Sequence, residues 1–482
     1  MGTADLDVLI IGAGISGIGV AYHLQKRRPA ARYLILEGRG EVGGTWSFFR
    51  FPGIRSDSDL FTFGYDFKPW HRAQAFADGP SIRAYVAEAA RENGIDRRIR
   101  FHHQVLEASW SSAERRWTVR VQRTDTQEQL ALRARWLFAA AGYYRYDEGY
   151  TPAFEGRERF RGPIVHPQNW PQDLDCRGKR IVVIGSGATA VTVVPALAAE
   201  AAHVTMLQRT PSYVLPLPTE SGLAKRLRPL LGERLTHAIT RRVNMARQSW
   251  IYAFCRRYPR AARKWIAGIN ARFLPQGYPV DVHFNPPYGP WEQRLCVAPG
   301  GDLFKAIGEG RASVVTDRID TFTESGIRLR SGAHLDADVI VTATGFNLQA
   351  FGGVKLQVDG RPVRPADTVT FKGMMLSGVP NFANAMGYAA SSWTLRIGLL
   401  GEYFCRLLGY MDRKGFEVCT PVAQPGLSTR PFFDFAPGYV QRSGGDLPRR
   451  GEAFPWQSSM TYAADVKLLR RGPVHDRHLR FT

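Results

Sequence analysis

The 482-residue sequence predicts an α/β chain that carries two βαβ units and one inserted helical segment. Three observations predict it. Residues 6–37 read as an apolar strand, a glycine-rich turn, a helix and a second strand, and residues 180–208 repeat the pattern. Such units are Rossmann-like dinucleotide-binding folds. Residues 216–293 place Arg, Leu and Ala at helical spacing and end in "VHFNPPYGPWEQR", which marks a helical insertion with an irregular exit.

The elements follow in order. "LDVLII" (6–11) is an apolar run of strand length. "GAGISG" follows, then a helical stretch through Gln25, then the strand "ARYLILE" (31–37). "IRFHHQVLEASW" (99–110) and "RWTVRVQR" (116–123) read as strands of a smaller antiparallel layer, and "RARWLFAAAGYY" (133–144) as a buried strand ending in a glycine turn. The second unit is "RIVVIG" (180–185), "SGATAVTVVPALAAE" (186–200) and "HVTMLQ" (203–208). "ADVIVTATGF" (337–346) reads as a further buried strand, before a mixed, proline-rich C-terminal stretch.

A chain of this length exceeds one core, so two or three domains are expected. Aromatic content of 12% suits an apolar ligand cavity. The formal net charge of +21 draws phosphates, anionic lipid and nucleic acid alike. No recognition motif accompanies it, which argues against nucleic-acid binding. Weak peripheral association with an anionic membrane is compatible with it, as is an oligomer. The five cysteines show no Cys-x-x-Cys pair and no metal spacing. Reduced thiols in the cytoplasm are the simple reading, and a disulfide reductase is disfavoured. The uncharged runs 8–22 and 181–199 read as strand, turn and helix, not as a signal peptide or a membrane span.

The first turn places Gly12, Gly14 and Gly17 in G-x-G-x-x-G order. Gly12 permits the tight turn, Gly14 lets the backbone approach a pyrophosphate, and Gly17 lets helix and strand pack. The phosphate then lies against the helix N-terminus. Glu37 ends the second strand, twenty residues after Gly17. A carboxylate there accepts ribose hydroxyls and repels a 2′-phosphate, so this unit takes FAD or NAD. The second turn carries Gly185, Gly187, Thr189 and Ala190, and its second strand runs into Arg209 and Thr210 with no acid. An arginine there pairs with a 2′-phosphate. Two units of unlike preference predict a flavoprotein reduced by NADPH.

Between the units stands "FRGPIVHPQNWP" (160–171). Phe160, Gly162, His166, Trp170 and Pro171 form F-x-G-x-x-x-H-x-x-x-W-P, which resembles the fingerprint of the Baeyer–Villiger monooxygenases, class B flavoprotein monooxygenases. Related N- and S-oxidising enzymes usually end the motif in Tyr or Phe, so Trp170–Pro171 favours ketone oxidation. "GGTW" (43–46), "FPGIRSDSDL" (51–60), "YDEGYTPAFEG" (146–156), "RLCVAPGGDLF" (294–304) and "TATGF" (342–346) extend the resemblance over nearly the whole chain.

The resemblance implies a reaction. NADPH reduces FAD, dioxygen adds to give a C4a-peroxyflavin, and its attack on a ketone carbonyl yields an ester; thioether or thioamide sulfur is oxidised similarly. Arg294 is the implied cation beside the flavin, and Asp57 its carboxylate partner, with Asp59 competing for that role. An arginine keeps its proton, which suits it to stabilise developing negative oxygen. Gly44, Thr45 and Trp46 wrap the flavin, Ser16 bonds a phosphate, the Val105 backbone meets the adenine, and Arg55 lies beside the nicotinamide. Many members carry a lysine before the arginine; here it is Gln293, so NADPH preference rests on Arg209 and Thr210 and discrimination against NADH weakens. The fingerprint is thought to couple domain movement and not to perform chemistry, and His166 reads equally as a linker histidine.

The expected division is an FAD-binding domain over 1–150 and 335–482, an NADPH-binding domain over 151–215 and 294–334, and the insertion 216–293. Expected partners are a small ketone or sulfur-containing substrate and O2. The nearest alternative is an N- or S-hydroxylating flavin monooxygenase without ketone activity. A plain NADPH oxidase and a membrane- or nucleic-acid-associated protein with a relic flavin are more distant ones.

Overall fold

The computed structural model describes residues 5–388, 391–433, 438–443, 445–458 and 461–482. Strand Leu6–Ile11 pairs in parallel with Tyr33–Leu36 on one side and with the C-terminal half of Gln129–Ala139 on the other. Val8, Leu9 and Ile10 are fully buried, as a strand covered on both faces requires. Successive side chains alternate between two cores: Trp136 and Phe138 join Val8 and Ile10, whereas Leu137 and Ala139 join Leu9 and Ile11. Helix Ile15–Arg27 connects the first two strands. Gly14 is its N-cap and offers no side-chain cap, and Lys26 and Arg27 lie in the last turn, where they oppose the helix dipole.

The antiparallel strands do not form the separate layer expected. His103–Ser111 and Arg116–Arg123 belong to the same nine-stranded sheet as Leu6–Ile11. Strand Gln129–Ala139 makes the join: its first residues pair antiparallel with Trp117–Gln122, and its last pair parallel with Leu6–Ile11. It starts earlier than expected and stops at Ala139, short of the glycine turn. Ile99–Arg100 is a strand of its own that extends the parallel edge along Ile35–Leu36.

The second sheet has five parallel strands in the order Ala312–Thr316, His203–Gln208, Arg180–Ile184, Val339–Thr342, Ile164–Val165. Helix Ala188–Leu197 follows the second glycine turn. The return to the first half was expected at residue 335. Strand pairing keeps the chain in the second sheet through Thr342, because Val339–Thr342 lies directly beside Ile181–Ile184. The outward crossing Tyr144–Gly149 and the return crossing Phe346–Leu348 then pair antiparallel.

The insertion is helical as expected. Gly222–Arg257 is capped by the Ser221 hydroxyl and bends at Gly232, where φ is 66°. Pro259–Phe273 and the short Val280–His283 follow. Arg241 fastens the long helix to the first half by donating to the carbonyls of Phe61, Thr62 and Gly64 at 2.8, 3.2 and 2.8 Å. Helix Trp393–Lys414 packs on Ile15–Arg27. Among the described residues, no helix is long and apolar enough to cross a membrane.

Candidate active site

A cleft of about 1390 Å³ runs between the two sheets, and both glycine turns line it. That exceeds the roughly 300–1,000 Å³ of a typical small-molecule site. Gly12 has φ of 101°, and a β-carbon there would sit 2.9 Å from the Ala140 carbonyl oxygen. At Gly17 a β-carbon would fall 2.0 Å from the Gly12 oxygen, so this glycine serves helix packing and does not line the cleft. At Gly14 it would touch the α-carbon of Gly44 at 3.4 Å. Two bare backbones therefore meet and leave a floor that a dinucleotide can approach, with the uncapped amides of Ile15–Arg27 facing it.

Glu37 is buried, and its two oxygens accept the amide N–H groups of Ala13 at 2.8 Å and Arg39 at 3.1 Å. Unused lone pairs remain for ribose hydroxyls. Arg39, which sequence reasoning missed, donates to the Gly44 carbonyl at 3.0 Å and lies 4.9 Å from the Tyr146 ring centroid. Its position two residues past the acid was the available signal. Ser16 accepts the Trp393 indole N–H at 2.8 Å, which leaves its own proton to donate. Thr45 contacts the Tyr146 hydroxyl at 3.3 Å, Trp46 packs edge-on against Phe63, and Val105 lines the cleft. Burial pushes the Tyr146 phenol up, so it stays protonated. The residues present fit an FAD.

The second turn is more open. Gly185 has φ of 136°, and a β-carbon there would lie 2.4 Å from the Ala343 carbonyl oxygen. Ala190 lies in the first turn of helix Ala188–Leu197, buried and away from the cleft. At Gly187 a β-carbon would meet no atom of the described residues within 4 Å. Thr189, Arg209 and Thr210 line the cleft. Arg209 is exposed, and no hydrogen bond or ion pair holds its guanidinium among the described residues. Arg318 and Arg330 also line the cleft. They flank the antiparallel strands Ile319–Thr323 and Gly326–Leu329, and no motif announced them. The residues present fit a 2′-phosphorylated nicotinamide dinucleotide.

In the same cleft, Arg294 Nη2 lies 2.9 Å from Asp57 Oδ1 and 2.6 Å from Oδ2. Sequence reasoning left Asp57 and Asp59 in competition, and the geometry separates them. Asp59 is buried and caps helix Leu60–Phe63 through the Thr62 N–H at 3.1 Å; it also accepts from Asn244 at 2.8 Å and Gln248 at 2.7 Å. Its oxygens are consumed by structure. Arg55 lines the cleft but is paired with Asp302, a partner that sequence reasoning missed. Cys296, two residues past Arg294, is buried and its thiol is pushed up to about 12 by burial, with Arg294 pulling the other way. It is not a thiolate nucleophile near neutral pH. Gln293 lines the cleft.

None of the five fingerprint residues lines the cleft. Phe160 is buried in the second half with Val182, Ile184 and Phe322. At Gly162 a β-carbon would lie 2.5 Å from the Asp338 oxygen. Trp170 is half-buried and Pro171 exposed. His166 Nδ1 accepts the Gln168 N–H at 3.1 Å, and its Nε2 lies 3.1 Å from the Gly345 carbonyl, at the start of the return crossing. A β-carbon on Gly149 would fall 2.4 Å from Nδ1. His166 thus touches both crossings at once. Burial holds its imidazole below the usual value.

A chain with two glycine-turn sheets opening on one cleft is a two-dinucleotide oxidoreductase. Residues 9–257 match the family described as pyridine nucleotide-disulphide oxidoreductase. The chain is 52% identical to the FAD-containing monooxygenase EthA of Mycobacterium tuberculosis, over 99% of this chain and 98% of that protein. It is 50% identical to the EthA of Mycolicibacterium smegmatis, over 100% and 98%. Among solved structures, a steroid monooxygenase bound to NADP superposes with TM-score 0.76 at 22% identity, covering 99% of both chains. OTEMO in complex with FAD and NADP gives 0.76 at 21%, covering 100% of both. The chain therefore belongs to the FAD-containing monooxygenases, within the pyridine nucleotide-disulphide oxidoreductase family. The likeness that the motif blocks pointed to, with the mycobacterial monooxygenase that activates the prodrug ethionamide, is borne out by these identities. All five cysteines are unbridged and buried.

Proposed function

We propose that the chain is an NADPH- and O2-dependent Baeyer–Villiger monooxygenase that converts ketones to esters and also oxidises thioether or thioamide sulfur. The observation that carries this reading is the Arg294–Asp57 pair, held in the cleft that both glycine turns share. FAD would be held by the amides after Gly12, by Glu37, and by the Gly44–Trp46 segment. NADPH would be held by the turn from Gly185 to Thr189 and by Arg209, with Arg318 and Arg330 adding positive charge in place of the lysine absent at Gln293. Bound there, FAD supplies two-electron chemistry with NADPH and the activation of dioxygen.

The chain's residues supply the rest. Arg294 stays cationic at any working pH and stabilises negative charge that develops on oxygen. Asp57 orients that guanidinium through two close contacts on one nitrogen. Glu37 repels a 2′-phosphate from the first site, and Arg209 attracts it to the second. His166 does not touch the cleft and positions the crossings.

Phenylacetone, NADPH and oxygen supplied to the purified, FAD-loaded protein test the reading, with products followed by mass spectrometry. Ester is expected. A protein that oxidises a thioether but returns phenylacetone unchanged overturns ketone oxidation in favour of the N- or S-hydroxylating alternative. The Arg294→Ala variant is expected to go on consuming NADPH while ester formation falls about 10²–10³-fold, the cost of losing one oxyanion-stabilising donor.

A further inference from the structure

Of the eleven large apolar residues most exposed on the described chain, nine lie between Leu230 and Val282, on the helical insertion. Trp250 is 64% exposed, Tyr258 54% and Trp265 41%, far above what a helix packed on a core presents. They form one patch. Phe254 stacks on Trp250 at 5.5 Å and contacts Tyr258 at 5.9 Å and Trp265 at 6.4 Å, bridging the two helices at their junction. Leu235, Val243, Trp250 and Phe254 fall within a little over one quadrant of the long helix at about 100° per residue, so the patch continues as a stripe toward Gly232.

The same segment is strongly cationic. Residues 222–273 hold thirteen Lys and Arg against one acid, Glu233. Arg242, Arg247, Arg256, Arg257, Arg260 and Lys264 are all exposed, and none is in an ion pair among the described residues. A second copy of this surface would bring like charges together. A nucleic acid would satisfy the cations but leave the leucine and valine stripe in water. An anionic bilayer surface satisfies both, because aromatic and aliphatic side chains enter the headgroup boundary while flanking cations meet lipid phosphates.

We propose that the insertion docks this protein on an anionic lipid surface, with the Trp250–Phe254–Tyr258–Trp265 patch inserted and the surrounding arginines on phosphates. The docked helix is also the one that holds Asp59 through Asn244 and Gln248, two residues from Asp57. A membrane-bound insertion therefore grips the segment that carries the carboxylate of the site.

Flotation of the full-length, FAD-loaded protein with vesicles tests this. One set is phosphatidylcholine alone, the other phosphatidylcholine mixed with phosphatidylglycerol. Binding is expected only to the mixed vesicles and is expected to fall steeply as salt rises. Arg256→Gln, Arg257→Gln and Arg260→Gln should each weaken it roughly fivefold. Trp250→Ser with Trp265→Ser should weaken it at least about tenfold, with flavin content and NADPH oxidation unchanged. Equal binding to neutral vesicles, or none to either, overturns the proposal. So does a dimer in light scattering that the tryptophan variants convert to monomer, or binding of RNA in preference to the mixed vesicles.

Discussion

At Gly14 a methyl group would be in contact with the α-carbon of Gly44 at 3.4 Å, whereas at Gly187 it would meet no atom of the described residues within 4 Å. The acid of the first unit is buried and tied to the backbone of Ala13 and Arg39; the arginine at the matching place in the second is exposed and without a partner among the described residues. The same strand–turn–helix motif thus builds two unlike seats. One is closed by protein on several sides, as suits a guest kept through many cycles. The other is open and electrostatic, as suits a guest that enters and leaves with each turnover.

The strongest way to break this contrast is to place one substitution in both turns. Gly14→Val forces a branched side chain between two packed backbones, and overpacking of this kind costs about 1–3 kcal/mol before any ligand is considered. The purified variant is expected to be colourless, with FAD content reduced more than about tenfold. Gly187→Val should stay yellow and fold normally, and show its effect as a raised KM for NADPH. Equal loss of FAD from both would erase the distinction.

A smaller effect is expected at Arg209. Arg209→Gln removes a charge that faces the second seat, and KM for NADPH should rise roughly tenfold to hundredfold, with KM for NADH little changed. Steady-state kinetics with the two coenzymes check this. A rise of the same size for both would move 2′-phosphate recognition to Arg318 and Arg330.

The smallest effect concerns the join between the halves. Burial holds the His166 imidazole below its usual value near 6.5. The folded state therefore disfavours the protonated ring, and stability is fully present above about pH 6.5 and lost as pH falls through that value toward the folded one. Thermal melts should show a decline that sets in as pH falls below about 6.5. The decline should be shallower in His166→Asn, which carries no titrating ring. An unchanged pH slope in the variant would remove His166 as the source.

Both glycine turns, Glu37 and Arg209 were legible in the sequence because each lies within one βαβ unit, where spacing fixes geometry. The Asp57–Arg294 pairing was reached through family resemblance, since 237 residues separate the partners. Nothing local distinguishes Asp57 from Asp59. The choice depends on Asn244 and Gln248, which an inserted helix brings to Asp59 from about 185 residues away. Arg55 with Asp302 and Ser16 with Trp393 were invisible for the same reason, being pairs that only the tertiary fold brings together, the first across the two halves and the second within the first half. The merged sheet was hidden because an eleven-residue strand can serve two pairing partners in turn, and alternation of side chains reads alike in either.

Gly12 abuts Ala140, where the chain departs for the outward crossing, and Gly185 abuts Ala343, where it departs for the return. The crossings run side by side with His166 against both. Each dinucleotide floor is therefore built against the strand by which the chain leaves its own half, and those two strands are zipped to each other. A displacement of either crossing is passed to the backbone beneath both cofactors at once.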